Sequence, residues 1–180
     1  HNPAQQAASQ YMHFLRRPDA ADKLLADSAR RLWDFFRTPA GTLPDWLTPE
    51  LQACYLAHWQ QSLATACHYY SASPLVPPRE ADRSILQLQL PDSLLSTPVP
   101  TQVLWGMDDV ALRPELLNGL EQWVPHLTVE PVPRASHWLV HEQPAVVIRS
   151  LHQLLLSALT HRTAPAPTQS ASTADLPLDY

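Results

Sequence analysis

A carboxylate and an imidazole that could form an acid–base pair stand 28 positions apart in the sequence. Asp109 ends the run VLWGMDD, and His137 lies in the run ASHWLVHEQP. A histidine that acts as a general base needs a carboxylate at its second ring nitrogen, because the carboxylate fixes the tautomer and stabilises the imidazolium. Such a pair can activate water or a hydroxyl nucleophile. Asp109 and His137 are therefore the first candidate catalytic residues.

The sequence around this pair predicts an α/β fold with a parallel sheet. TQVLW is β-rich and stops at Gly106, and LTVEPV is a second strand-like run. The helix-like run PELLNGLEQWV separates them and an amphipathic helix follows, which is the pattern of parallel strands flanked by helices. Functional groups of such sheets lie beyond the carboxyl ends of the strands. That rule selects the loops at 106–113 and 133–138, which contain Asp109 and His137.

The rest of the chain divides into segments of different character. Residues 3–71 predict helices separated by short breaks, and Thr48-Pro49-Glu50 is typical of a capped helix start. We predict a helical lid over 1–78, a proline-rich linker over 79–98 with the strand-like run ILQLQL, the sheet region over 99–158, and a disordered tail over 159–180.

Composition excludes two classes of partner. The formal net charge is -5, and Lys and Arg are mixed among Asp and Glu, so no basic surface for nucleic acid or an anionic membrane is indicated. No apolar run approaches the roughly 20 residues that cross a bilayer. We therefore expect neither nucleic acid nor membrane as a partner, and we expect a cytoplasmic location.

The two motifs together resemble the α/β-hydrolase superfamily, and within it the lidded epoxide hydrolases and their haloalkane and fluoroacetate dehalogenase relatives. In that family the triad acid comes three residues after a Gly-like position, which corresponds to Asp109 after Gly106. The catalytic histidine precedes an aromatic residue and an acidic, proline-containing helix start, which corresponds to His137. The resemblance implies the carboxyl-terminal portion of an α/β-hydrolase, with a helical lid followed by the last two parallel strands and their flanking helices, and no cofactor or metal.

The resemblance extends to residues that would contact a substrate. Two lid tyrosines of epoxide hydrolases donate hydrogen bonds to the epoxide oxygen, and Tyr11 and Tyr70 occupy the matching places. Fluoroacetate dehalogenases are expected to have a His-Trp pair where this chain has Tyr11 and Met12, which favours epoxide opening. Trp138, next to His137, is the expected third substrate-binding residue.

The nucleophile of the family is absent from the chain. Its elbow, a G-x-[SD]-x-G-like turn, cannot be formed by the isolated Gly41, Gly106 and Gly119. We therefore expect an incomplete gene product, a fragment or one half of a split protein, whose partners are the missing amino-terminal half of the core and a small-molecule substrate. An upstream aspartate would make the parent an epoxide hydrolase or dehalogenase, and a serine would make it a serine esterase. A truncated remnant that binds without turnover is the non-enzymatic alternative.

Several of these residues also have simpler structural interpretations. An Asp after a strand often caps the turn, and Asp108 is better placed than Asp109 for that role. Tyr11 and Tyr70 could simply pack in the lid. His141 lies four residues after His137, as in some metal sites, but no third ligand is evident. Arg134 replaces the glycine that usually precedes ASHW in the family, which predicts a strained turn.

Overall fold

The structure is a computed structural model, which describes residues 2–163 of the 180-residue chain. We call residues 2–72 the helical half and residues 101–163 the sheet half. The helical half contains four helices, namely α1 (Pro3–Ala8), α2 (Tyr11–Leu15), α3 (Ala20–Asp34) and α4 (Pro49–Ala72). Side-chain caps begin two of them, since Asn2 accepts hydrogen bonds from the first turn of α1 and Thr48 accepts one from the Leu51 amide. The helix start predicted at Thr48 is thus confirmed.

Helix α3 is less regular than its apolar spacing predicts. Asp27, Ser28 and Ala29 have φ values of 51°, 56° and 61°, so one turn of left-handed backbone interrupts the right-handed helix. Left-handed backbone costs about 1–2 kcal/mol for each residue with a Cβ. Tertiary packing supports the turn, because Ala29 is completely buried and the Trp33 indole donates to the Ser28 carbonyl.

Helices α2, α3 and α4 enclose the larger hydrophobic core of the molecule. Its most deeply buried large side chain is Leu24, and Leu15, Leu32, Leu63 and Cys67 pack around it. Tyr11 and Tyr70 lie at the edge of this core with part of each ring exposed. The core therefore fixes the backbone on which both tyrosines stand.

The connecting segment between the halves differs from the sequence-based expectation in one respect. ILQLQL alternates like a strand, but Ser84–Gln87 forms a 3₁₀ helix, followed by the short α5 (Asp92–Leu95). A strand needs a neighbouring strand to satisfy its backbone groups. The only bridge found here among the described residues joins Arg79 to Asp82, so the alternation has no partner to pair with.

The sheet half is built on two parallel strands, as predicted. β1 (Thr101–Gly106) pairs with β2 (Leu127–Val132) in a register that places Thr101 opposite Leu127 and Gly106 opposite Val132. Both strands therefore end at the same level, and the loops after them leave from one edge of the sheet.

The segment between the strands is not the continuous helix that the sequence predicts. PELLNGLEQWV forms two 3₁₀ turns, Pro114–Leu117 and Leu120–Gln122. Gly119 separates them with a φ of 84°, a left-handed conformation that ends helical hydrogen bonding.

The last part of the described chain is helical. The amphipathic helix predicted in EQPAVVIRSLHQLLLSAL corresponds to α7 (Pro144–Thr163). A separate short helix, α6 (Leu139–Glu142), precedes it and ends there, since Pro144 has no N–H to continue it. Because α7 reaches Thr163, residues 159–163 of the predicted disordered tail are helical instead. Residues 164–180, the remainder of that tail, lie outside the described residues. Within residues 2–163, no helix combines the length and apolar character needed to span a membrane.

Candidate active site

The structure brings the side chains of Asp109 and His137 together at the carboxyl ends of β1 and β2. Asp109 Oδ2 lies 2.9 Å from His137 Nδ1, a hydrogen-bonding distance. The carboxylate is buried, whereas 44% of the imidazole is exposed. No described group hydrogen-bonds to Nε2 of His137. The arrangement leaves that nitrogen able to accept a proton while the carboxylate orients the ring.

Asp109 also organises its own loop through its second oxygen. Oδ1 accepts hydrogen bonds from the backbone N–H groups of Ala111 and Leu112, each at 2.8 Å. The carboxylate thus caps the turn and binds the histidine at the same time, with one oxygen for each task. The expectation that Asp108 is better placed to cap the turn is wrong, because its own side chain makes no hydrogen bond among the described residues and instead borders a cavity.

Gly106 allows the two loops to approach each other closely. A Cβ at this position would lie 2.3 Å from the Ser136 carbonyl oxygen and 2.5 Å from that of Ala135. Beyond the strands, the Asp108 N–H donates to the Ala135 carbonyl at 2.9 Å. Backbone contact at this distance requires a residue without a side chain. The glycine before the acid therefore brings the histidine loop within reach of Asp109.

A second carboxylate holds the histidine loop from the other side. Glu142 accepts hydrogen bonds from both the backbone N–H and the hydroxyl of Ser136, each at 2.6 Å. Arg134, two residues before Ser136, has a φ of 58°, so the turn predicted to be strained does adopt a left-handed conformation. The bonds to Glu142 help to offset the cost of that conformation.

We expect Arg134→Gly to make the protein more stable than Arg134→Ala by about 1 kcal/mol, because only glycine adopts this φ without a steric penalty. Both substitutions remove the arginine side chain, so their difference reports the backbone alone. Urea denaturation gives the two free energies of unfolding. An alanine variant as stable as the glycine variant would show that the turn is not strained.

Trp138 connects the histidine loop to the helical half. Its indole stacks on the Phe36 ring, with centroids 4.0 Å apart and 12° between the planes, and its Nε1 donates to the Phe35 carbonyl. The His137 ring stands edge-on to the same indole, with the centroids 5.5 Å apart. Trp138 therefore forms a wall beside the imidazole.

His141 contacts two aromatic residues of the helical half. Its Nε2 lies 2.9 Å from the Tyr55 hydroxyl, and its ring stacks on Trp46 with a centroid distance of 4.4 Å. Across the described residues, no cluster of three or more His, Cys, Asp or Glu side chains is arranged to hold a metal ion.

The two predicted substrate-binding tyrosines lie side by side. The Tyr11 and Tyr70 rings meet edge to face with centroids 6.2 Å apart. Burial raises the pKa of Tyr11 to about 12, and the neighbouring Tyr70 and the Asp109 carboxylate act in the same direction. Burial also raises the pKa of Tyr70. Both hydroxyls therefore keep their protons, and remain hydrogen-bond donors, well above neutral pH.

Arg16 binds the carboxyl-terminal end of α4, where Tyr70 lies. One guanidinium nitrogen of Arg16 donates to the carbonyls of Tyr70 and Ser73, where the last turn of the helix has unsatisfied acceptors. Tyr70 is thereby fixed against α2, the helix that begins at Tyr11.

The two tyrosines, the histidine and Trp138 meet at one cavity of about 930 Å³ between the two halves. Tyr11, Tyr70, His137 and Trp138 line it, and most of the remaining wall is apolar. Ligand sites are typically cavities of this size in which a few polar groups project into an apolar surface. Asp109 itself does not line the cavity, and its carboxylate hydrogen-bonds to the ring of His137, which does.

Known proteins show the same architecture. No protein-family model matches the chain. The AB hydrolase superfamily protein YfhM of Bacillus subtilis (strain 168) is 26% identical over 164 residues, which are 89% of this chain and 51% of that protein. The crystal structure of Bacillus megaterium epoxide hydrolase in complex with an inhibitor matches with a TM-score of 0.70 and 26% identity, over 86% of this chain and 53% of that one. The chain has an α/β-hydrolase fold.

Another solved structure has the same fold. This structure, from a study of epoxide hydrolases of the α/β-hydrolase superfamily in metagenomes from hot environments, has a TM-score of 0.62 and 29% identity, over 86% of this chain and 52% of that one. The chain spans about half the length of the relatives it matches. It corresponds to their carboxyl-terminal portion, with a helical cap and two parallel strands.

Two supporting residues of this candidate site were not singled out from the sequence. Glu142 is the acidic residue of ASHWLVHEQP, and the motif itself was the signal for it. Phe36 lies two residues beyond the end of α3 and continues its apolar spacing, and nothing in that spacing distinguishes a residue that stacks beside the site from one in the core. Only the stacking of Trp138 on Phe36 identifies the role of Phe36.

Proposed function

We propose that the protein to which this chain belongs is an epoxide hydrolase. The observation that carries the proposal is the shared cavity, in which Tyr11 and Tyr70 present two protonated phenols and His137 presents an imidazole held by Asp109. Solved epoxide hydrolases with the same fold support this assignment. Hydroxyl donors suit a reaction in which a strained ether oxygen becomes an alkoxide.

The proposed reaction has two steps. A carboxylate nucleophile from outside these 180 residues attacks an epoxide carbon, the carbon–oxygen bond of the ring breaks, and an ester forms. Tyr11 and Tyr70 hydrogen-bond to the leaving oxygen, which takes a proton from one of these phenols. His137 Nε2 then removes a proton from water, and the resulting hydroxide attacks the ester carbonyl. Cleavage of the ester releases a diol and restores the carboxylate, and the proton held by His137 returns to the phenolate.

The same proposal assigns a partner to an exposed surface of the sheet half. Ile148, Leu151 and Leu155 follow one another along α7, and each is more than half exposed. Among the described residues β1 pairs only with β2, so its other edge has no strand beside it. We infer that further strands and helices of the hydrolase core, including the nucleophile, cover these surfaces, because parallel sheets are normally covered on both faces.

A serine esterase is the second candidate, because an aspartate-held histidine serves a serine nucleophile equally well. The coding sequence upstream of His1 distinguishes the candidates. An aspartate in a nucleophile elbow supports epoxide or carbon–halogen chemistry, and a serine supports an esterase. The absence of any elbow would support a remnant without turnover.

Replacing the two phenols tests the epoxide assignment directly. In the complete protein, Tyr11→Phe and Tyr70→Phe are each expected to lower kcat for an epoxide such as styrene oxide by about 100-fold, since each removes one donor to the developing alkoxide. The rate of diol formation measures the effect. Tyr69→Phe is the matched control, because Tyr69 adjoins Tyr70 but is 74% exposed, and it should leave kcat unchanged. Unchanged rates in the Tyr11 and Tyr70 variants would exclude the proposed mechanism.

A further inference from the structure

A glutamine side chain in the helical half binds the loop that carries Asp109. Gln5 Nε2 donates to the Ala111 carbonyl at 2.8 Å, and Gln5 Oε1 accepts a hydrogen bond from the Arg113 N–H at 2.9 Å. The donor and the acceptor of one amide thus contact two backbone groups of the loop, as a neighbouring strand would. Within the described residues, these are the only hydrogen bonds between α1 and the sheet half.

The loop held by Gln5 is the loop that orients the candidate acid. Asp109 Oδ1 accepts the N–H groups of Ala111 and Leu112, so the position of its carboxylate depends on the conformation of these residues. Gln5 binds the same segment from the opposite side through the Ala111 carbonyl. The segment is therefore held between Asp109 and Gln5, and its movement would shift the carboxylate relative to His137.

The same glutamine is linked to the first tyrosine. Gln5 lies on α1, and Tyr11 begins the next helix after a break of two residues. Backbone hydrogen bonds from Ser9 to Gln5 and from Met12 to Ser9 connect the two short helices. A displacement of α1 away from the acid loop would therefore also move the Tyr11 hydroxyl relative to the imidazole.

We propose that Gln5 is a positioning residue, which fixes the acid loop against the helical half and so sets Asp109, His137 and Tyr11 in one arrangement. The proposal deepens the proposed function and rests on it for its kinetic consequence. A neutral amide suits this place because it supplies a donor and an acceptor together, whereas a carboxylate supplies acceptors only.

Three variants in the complete protein test the proposal. Gln5→Ala removes both contacts, and Gln5→Glu keeps the size and the acceptor but places an oxygen against the Ala111 carbonyl. Gln6→Ala is the matched control, since Gln6 lies on the same helix and its side chain makes no hydrogen bond within the described residues. The first measurement is hydrogen exchange at the Ala111 and Leu112 amides, which donate to Asp109. We expect exchange about tenfold faster in both Gln5 variants and unchanged in the control.

The second measurement is steady-state kinetics on an epoxide. We expect kcat to fall about tenfold in the Gln5 variants with little change in KM, because misplaced catalytic groups slow the reaction more than they weaken binding. Unchanged exchange in both Gln5 variants would overturn the proposal, as would a loss of kcat equal to that of Gln6→Ala. If the unsubstituted protein turns over no epoxide, the proposed function fails, while the exchange measurement still decides whether Gln5 holds the loop.

Discussion

His137→Ala in the complete protein is expected to reduce the turnover of an epoxide by about 1,000-fold, and to leave the enzyme covalently loaded with substrate. The reason is that the imidazole acts on the ester intermediate, whereas its formation needs only the nucleophile and the two phenols. The ester should therefore accumulate. Intact-protein mass spectrometry would detect it as an addition of one substrate mass for each active site.

The same experiment separates the candidate nucleophiles. With a serine nucleophile the histidine is needed for the first step, so His137→Ala would abolish turnover without any covalent addition. His58→Ala is a suitable control, because His58 is exposed on α4 and does not line the cavity. Full activity in the His137 variant would remove this residue from the mechanism.

The second large effect concerns stability. Gly106→Ala should lower the free energy of unfolding by about 3 kcal/mol, because the added methyl group would meet two backbone oxygens that cannot rotate away. Relief of the contact requires the acid and histidine loops to separate, which lengthens the distance from Asp109 to His137. Chemical denaturation measures the loss of stability.

Gly41→Ala provides the comparison for this substitution. Gly41 has a φ of 81°, and nothing lies within 4 Å of the position of its Cβ, so the variant has only the conformational penalty of about 1 kcal/mol. Equal destabilisation by the two substitutions would show that the close approach of the loops is not what Gly106 provides.

Local patterns predicted the elements that carry the candidate chemistry. TQVLWG and LTVEPV are β-rich runs bounded by turn residues, and both form parallel strands over nearly the predicted residues. Thr48-Pro49 starts a helix because its cap and its fixed φ act within one turn. The sequence pattern predicted the wrong element where a strand needed a neighbouring strand, and where a glycine could interrupt a helix. ILQLQL had no strand to pair with, and Gly119 interrupted PELLNGLEQWV.

The amino-acid sequence alone predicts that an acid and a histidine follow two neighbouring parallel strands, because the order of strands and loops follows the order of residues along the chain. How those side chains are held depends on contacts that form only in the folded protein. One oxygen of Asp109 binds its own loop and the other binds the histidine, Trp138 stacks on Phe36, and Gln5 contacts Ala111. These contacts join residues that are distant in the chain, or residues that share a loop whose shape no periodicity specifies. Such contacts depend on the distance and direction of atoms in the folded state, and a linear pattern contains neither.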